Sequence, residues 1–204
     1  MATILHINSS IRSTGSVSRQ LSSEFVSKWK VANPRDIVIE RDLAQDPVPH
    51  LTEQMMGVFF TPADQRSPEQ TRTVELADAL VEELLRADVI VLGAPMYNFS
   101  ISSALKAWID HVTRVGVTFN YTETGAVGLV RDKKVYVFTA SGGVYSEGPA
   151  QSMNFQETYL RVILGFIGLT DITVVRAEGL AMGEPSVDAA LNHGREMIDG
   201  LISA

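Results

Sequence analysis

Short apolar runs alternate along the chain with longer stretches in which apolar residues recur every three or four positions. The runs lie at Thr3 to Ile7, Asp36 to Glu40, Asp88 to Ala94, Lys134 to Ala140 and Asp171 to Val175. Three are almost continuously apolar, Val89-Ile90-Val91-Leu92, Val135-Tyr136-Val137-Phe138 and Ile172-Thr173-Val174-Val175, as expected of strands covered on both faces. Ser16 to Lys30, Pro68 to Arg86, Ser100 to Val112, Ser152 to Phe166 and Ser186 to Ile202 follow them and are long enough for crossover helices. A β-α unit repeated five times predicts an α/β fold built on a parallel sheet.

Two of the helices carry readable starts. Ser67 precedes Pro68, Glu69 and Gln70, which supplies a cap, a first-turn proline and a capping-box partner. Val74, Ala77, Val81 and Leu84-Leu85 then recur with a helical period. Pro185-Ser186 opens the last helix, where Val187, Ala190-Leu191, Met197-Ile198 and Leu201 form the apolar pattern. Two segments break the alternation. Pro47 to Asp64 reads as a short helix and loop exposing aromatic or thioether groups, and Gly116 to Val130 is a glycine-rich insertion with Phe119 and Tyr121. Insertions of this length often build a binding surface.

Composition narrows the chemistry. A chain of 204 residues with 45% apolar content can fill one sizeable core, so one domain over 1–204 is the expectation. A formal charge of -7 argues against a mainly electrostatic binder of nucleic acid or anionic membrane. The chain has no cysteine, which removes disulfides, thiol nucleophiles and thiolate metal sites, so redox chemistry would have to come from a cofactor. No apolar window approaches the roughly 20 residues of a membrane helix. Met1-Ala2-Thr3 runs directly into Ile4-Leu5-His6-Ile7 without a basic leader, so the expected location is cytoplasmic.

Ligands of open parallel sheets sit beyond the carboxyl ends of the strands, which draws attention to three loops. Asn8 to Arg19 is rich in hydroxyls and leads into a helix whose free N–H groups, with Ser10, Ser16 and Ser18, could hold a phosphate. An ordinary polar loop capped by Ser16 is the competing reading. With only Gly15 in the loop, hydroxyls rather than backbone alone are expected to hold the anion. Gly93 to Ser100 contains Pro95, Met96, Tyr97, Asn98 and Phe99, suited to lie against a flat aromatic ligand. Thr139-Ala140-Ser141-Gly142-Gly143 leaves N–H groups free to meet a ligand edge, or forms a flexible turn.

Other chemistries find little support. The first loop has neither GxxxxGK[ST] nor GxGxxG spacing, Ser141 is outside a GxSxG elbow, and there is no HExxH or calcium-loop pattern. Asp110-His111 reads as a solvated surface pair, because adjacent helical residues point in different directions.

Taken together, the Ser-Ser plus Ser-x-Ser opening, Pro95-Met96-Tyr97-Asn98-Phe99, Thr118-Phe119-x-Tyr121, Ser141-Gly142-Gly143 and Tyr159-Leu160 through Gly165-Phe166-Ile167-Gly168 resemble the FMN-dependent NADH-azoreductase family of flavodoxin-like quinone reductases. The resemblance implies a flavodoxin-like three-layer sandwich with a five-stranded parallel sheet in the order 2-1-3-4-5. It implies one FMN per subunit, NADH as electron donor, quinones and aromatic azo compounds as acceptors, and a homodimer with active sites at its interface. Carried onto this chain, Ser10, Ser16, Val17 and Ser18 would surround the FMN phosphate. Met96, Tyr97, Asn98 and Phe99 would line the ribityl chain and ring, and Ala140, Ser141, Gly142 and Gly143 would meet its other edge. Phe60, Phe119 and Tyr121 resemble the aromatic lining of the substrate pocket. The chain departs from the family at Gly125-Ala126-Val127-Gly128-Leu129, where a proline is common in place of Ala126. Rival readings are a hydrolase using Ser141 or a histidine, and an FMN-binding electron carrier.

Overall fold

A computed structural model describes residues 1–203. In chain order the elements are β1 (Thr3–Asn8), α1 (Val17–Ala32), β2 (Ile37–Asp42), α2 (Glu53–Phe59), α3 (Pro68–Arg86), β3 (Val89–Pro95), α4 (Ser103–Val112), β4 (Phe119–Thr122), β5 (Gly125–Gly128), β6 (Lys134–Ala140), α5 (Phe155–Ile167), β7 (Asp171–Ala177) and α6 (Glu184–Ser203). Single turns of 3-10 helix lie at Ala63–Gln65 and Gln151–Met153. None of the described helices is long and apolar enough to cross a membrane.

The main sheet runs β2-β1-β3-β6-β7 with every pairing parallel. Setting aside the β4–β5 hairpin, this is the 2-1-3-4-5 order that the resemblance implies. The chain winds outward from β1 in one direction and from β3 in the other, so a crevice opens beyond the carboxyl ends of these two strands.

Strand periodicity assigns the two faces of the sheet. Leu5 and Ile7 of β1 pack with Leu80 and Leu84 of α3, Leu105 and Trp108 of α4, and Leu160 and Leu164 of α5. Ile4 on the opposite face packs with Leu21 and Phe25 of α1, Phe138 of β6 and Ile198 of α6. His6 and Asn8 share the Ile4 face, and both meet Ser22 of α1. Within β3 all seven residues are buried, as its apolar run predicts for a central strand.

The helix starts follow their caps. Ser67 and Gln70 complete the predicted capping box, and Leu84 is buried while Leu85 is exposed. The helix expected from Ser100 begins only at Ser103, because Ser100 is engaged in a turn and Ser102 is the cap. The helix expected from Ser152 starts at Phe155, capped by Asn154. The Pro47–Asp64 segment contains α2, with Met56 and Phe60 exposed and Val58 buried. The Asp110-His111 expectation needs correction, because His111 is fully buried and its Nε2 lies 2.9 Å from the Pro49 carbonyl. Burial lowers its pKa, outweighing the carbonyl contact that favours the charged ring.

The hairpin insertion is fixed to α5 at two glycines. A Cβ on Gly128 would lie 2.1 Å from the backbone nitrogen of Gly168, which ends α5 at a φ of 107°. The Val130 N–H donates to the Ile167 carbonyl at 2.9 Å, extending the seam. Substituting Gly128→Ala is therefore expected to destabilise the fold by about 3 kcal/mol, since neither backbone can yield locally. By contrast, a Cβ added at Gly200, on the exposed side of α6, would meet nothing within 4 Å. Gly200→Ala should stabilise by about 0.5–1 kcal/mol, and chemical denaturation of the two variants checks the contrast.

Candidate functional site

The start of α1 is an N–H-rich surface held in place by side chains. Ser16 caps the helix, its Oγ accepting from the Arg19 N–H at 3.4 Å and its carbonyl accepting from the Gln20 N–H at 3.0 Å. Among the described residues the N–H groups of Val17 and Ser18 have no protein acceptor. Ser18 is fully buried, with its Oγ 3.3 Å from that of Ser16. The hydroxyls expected to hold an anion are thus partly committed to the loop itself, and the helix backbone offers the open donors.

Arg19 fixes the loop that precedes this helix. Its guanidinium donates to both oxygens of Asp42, at 2.6 and 3.1 Å, and to the Ser10 carbonyl at 3.1 Å. Burial would raise the Asp42 pKa, but the hydrogen bonds from Arg19 and the Ala44 N–H outweigh it and hold the carboxyl below its ordinary value. Ser10 Oγ accepts from the Arg12 N–H at 3.2 Å and lies 3.3 Å from the Tyr97 hydroxyl, which joins the first loop to the second.

Beyond β3 the chain makes a strained two-residue turn. Tyr97 and Ser100 exchange backbone hydrogen bonds at 2.8 and 3.0 Å, and between them Asn98 and Phe99 have φ values of 49° and 69°. Positive φ at a bulky residue such as Phe99 is costly and is characteristic of sites with a function to serve. The N–H groups of Asn98 and Phe99 have no protein acceptor among the described residues. Phe99 is half-exposed and meets Tyr145 edge-on, with ring centroids 6.1 Å apart.

The third loop is pinned from the segment after β7. Leu180 N–H donates to the Ser141 carbonyl, Ala181 N–H to that of Gly142 and Gly179 N–H to that of Gly143. The Gly142 and Gly143 N–H groups have no protein acceptor among the described residues. Ser141 Oγ donates to the Gly143 carbonyl at 2.8 Å, so its hydroxyl serves the turn instead of facing a histidine base. Glu178 accepts from the N–H groups of Tyr145 and Ser146, at 2.7 and 2.9 Å, and from the Ser146 hydroxyl.

These loops enclose a cavity of about 460 Å³ lined by Ser10, Ser16, Val17, Met96, Tyr97, Ala140, Ser141 and Gly142 of the expected residues. Arg12, Gly15 and Pro95 complete its loop walls. Sequence reasoning missed Leu180, Ala181 and Val187, which also line it, although the apolar stretch between Gly179 and Gly183 was a visible signal. Among the described residues Arg12 is the one charged member of the lining, and none contributes a carboxylate to it. A second cavity of about 690 Å³ shares Tyr97 and adds Asn98, Lys106 and Tyr159. Ser18 lies behind the first cavity, and Phe99 and Gly143 occupy the turns beside it.

Phe60, Phe119 and Tyr121 line neither cavity. Phe119 is buried between Phe166 and Tyr121, at ring-centroid distances of 4.5 and 5.4 Å. Phe60 and Tyr121 are each about two-thirds exposed, at 68% and 67%. The helix before Phe60 packs against α3, and the β4–β5 hairpin that carries Phe119 and Tyr121 packs against α5.

Unpartnered N–H groups at a helix start, next to an apolar slot at the switch point of a 2-1-3-4-5 sheet, define the architecture of a flavodoxin-type protein. A profile of the flavodoxin-like fold family matches residues 2–201, and the chain belongs to that family. It is 59% identical over 204 residues, the full length of both chains, to an FMN-dependent NADH:quinone oxidoreductase from Herminiimonas arsenicoxydans. The crystal structure of an azoreductase from Bacillus anthracis str. Sterne superposes with a TM-score of 0.91 at 32% identity, covering 99% of each chain. An FMN-dependent NADH-azoreductase from Bacillus anthracis str. Ames Ancestor, in complex with FMN, gives 0.87 at 27% identity, with 99% of this chain and 100% of that chain covered.

The loop carrying Tyr145 and Ser146 depends on one carboxylate. Glu178→Ala leaves two backbone N–H groups without their acceptor and should cost about 1–3 kcal/mol. Amide exchange at Tyr145 and Ser146 is expected to quicken; unchanged exchange would show that another group holds the loop.

Proposed function

We propose that this protein is an FMN-dependent NADH:quinone oxidoreductase and azoreductase, and that the cavity at the carboxyl ends of β1, β3 and β6 is its FMN site. The observation that carries the reading is the coincidence of open N–H donors at the start of α1 with an apolar, carboxylate-free slot. When bound, FMN supplies two-electron chemistry, taking a hydride from NADH and passing reducing equivalents to a quinone or an aromatic azo compound.

The chain's own task is binding and orientation. Val17 and Ser18 N–H groups, with Ser10, Ser16 and Arg12 beside them, suit a phosphate. Met96, Tyr97, Asn98 and Phe99 suit the ribityl chain and ring, and Ala140, Ser141, Gly142 and Gly143 suit the ring's polar edge. Backbone N–H groups of Asn98, Phe99, Gly142 and Gly143 provide donors whose aim is set by the fold. No side-chain nucleophile is assigned, consistent with a Ser141 hydroxyl already bound to the Gly143 carbonyl. Azo cleavage to two amines takes four electrons and so consumes two NADH, with protons drawn from water.

The active form in this reading is a cytoplasmic homodimer with one FMN per subunit. The exposure of Phe60 and Tyr121 outside their own chain's cavities supports a role in giving aromatic surface to a partner's site, with Phe119 packed against Tyr121.

The test is an anaerobic absorbance titration of the FMN-reconstituted protein. NADH should bleach the long-wavelength flavin band, and a quinone should restore it. Because donor and acceptor use one slot in turn, double-reciprocal plots with NADH and quinone should be parallel. Bound flavin that NADH leaves oxidised would favour an electron carrier, and intersecting lines would replace alternate occupancy by a ternary complex.

A further inference from the structure

We infer that His6, a residue with no contact to the cavity, is a positioning residue for the phosphate end of the cofactor site. It acts through a closed ring of buried polar side chains beneath α1. This inference rests on the flavin reading above and concerns how one part of that site keeps its shape.

His6 lies in the middle of β1, the strand from which the phosphate loop departs. Its ring is 2% exposed and faces α1 among apolar neighbours, where a polar group is costly unless paired. Nε2 lies 3.0 Å from Ser22 Oγ of α1 and 3.3 Å from Asn8 Nδ2 at the end of β1. Ser22 Oγ also lies 3.3 Å from Asn8 Oδ1, which completes a ring of contacts among the three side chains, and 3.1 Å from the Arg19 carbonyl, so its one proton serves a single acceptor at a time. On the other side Nδ1 lies 2.8 Å from the Glu40 carboxylate of β2. Nδ1 makes no aligned hydrogen bond, so its approach to Glu40 is electrostatic; with the ring proton on that side, Nε2 is left as an acceptor for the Asn8 amide N–H, with Ser22 Oγ beside it.

The ring is connected to the site by short covalent paths. Ser22 stands one turn beyond Ser18, whose N–H is one of the open donors. Asn8 immediately precedes the loop that contains Ser10. Across the ring stands Gly93 of β3, where a Cβ would come within 3.0 Å of both Asn8 Oδ1 and Ser22 Oγ and 3.3 Å of the Ser18 carbonyl. The helix is thus seated on the sheet by polar contacts at its cofactor end and by Leu21, Phe25 and Val26 further along. Removing the His6 acceptor leaves Asn8 and Ser22 with one partner fewer in a space closed to water. The first turn of α1 is then expected to shift relative to Ser10.

The test separates phosphate positioning from general stability by comparing FMN with riboflavin, which has the same ring and no phosphate. Affinities are measured by flavin fluorescence quenching on wild type, His6→Leu, Ser22→Ala and Val26→Ala, the last a control in the apolar seat of the same helix. His6→Leu and Ser22→Ala should weaken FMN binding about five- to tenfold while changing riboflavin binding less than about twofold. Val26→Ala should lower the melting temperature and leave the ratio of the two affinities unchanged. If His6→Leu does not fold, the ratio for Ser22→Ala decides. A wild-type FMN preference that both variants retain overturns the role of His6 and leaves the flavin reading standing. A wild type that binds neither flavin, or binds both equally, overturns the phosphate assignment and this inference with it.

Discussion

The close seating of α1 on the β1–β3 pair is the constraint on which the rest of the structure depends. Gly93 lies at this contact, where an added Cβ would stand 3.0 Å from Asn8 Oδ1 and Ser22 Oγ and 3.3 Å from the Ser18 carbonyl, tighter than ordinary packing. That contact places the start of α1 beside the ends of β1 and β3, where a parallel sheet directs its loops to one edge. The Arg19–Asp42 pair then fixes the loop against β2, and Ser10 meets Tyr97 across the switch point. A displacement of α1 would move all these groups together.

A division of labour follows from the hydrogen bonds. Side chains around the crevice mostly hold backbone: Ser16 caps α1, Ser141 binds the Gly143 carbonyl, and Glu178 holds Tyr145 and Ser146. Among the described residues, backbone N–H groups are what remain without a protein acceptor, at Val17, Ser18, Asn98, Phe99, Gly142 and Gly143. Such donors are set by the fold and lose little freedom when a ligand arrives. The strain at Asn98 and Phe99 has a place in this scheme, since the turn that carries it also turns two N–H groups away from the protein.

Much of this was legible in the sequence, because the signals were local. Continuous apolar runs marked the central strands, and Ser67, Pro68 and Gln70 marked a helix start to the residue. The three loops could be found because they follow strands, and topology brings strand ends together. What failed to show was nonlocal. His111 looked solvated beside Asp110, yet the segment around Pro49 folds over it. Gly128 and Gly168 are forty positions apart, and their contact explains the glycine at 128, while Gly168 is also required by the positive φ that ends α5. Phe119, a pocket residue by the family resemblance, is buried against Phe166, a contact no local pattern marks. Leu180 and Ala181 form a visible apolar stretch, but it is their hydrogen bonds to the third loop that bring them to the cavity.

The central claim is that three strand-end loops form one FMN site with the backbone as its main donor. A crystal structure of the FMN complex tests it most directly. The account predicts the phosphate on the Val17 and Ser18 N–H groups, with the ring between the Tyr97–Phe99 turn and the Ser141–Gly143 loop. FMN bound instead in the cavity beside Lys106 and Tyr159, with the start of α1 bare, would contradict it.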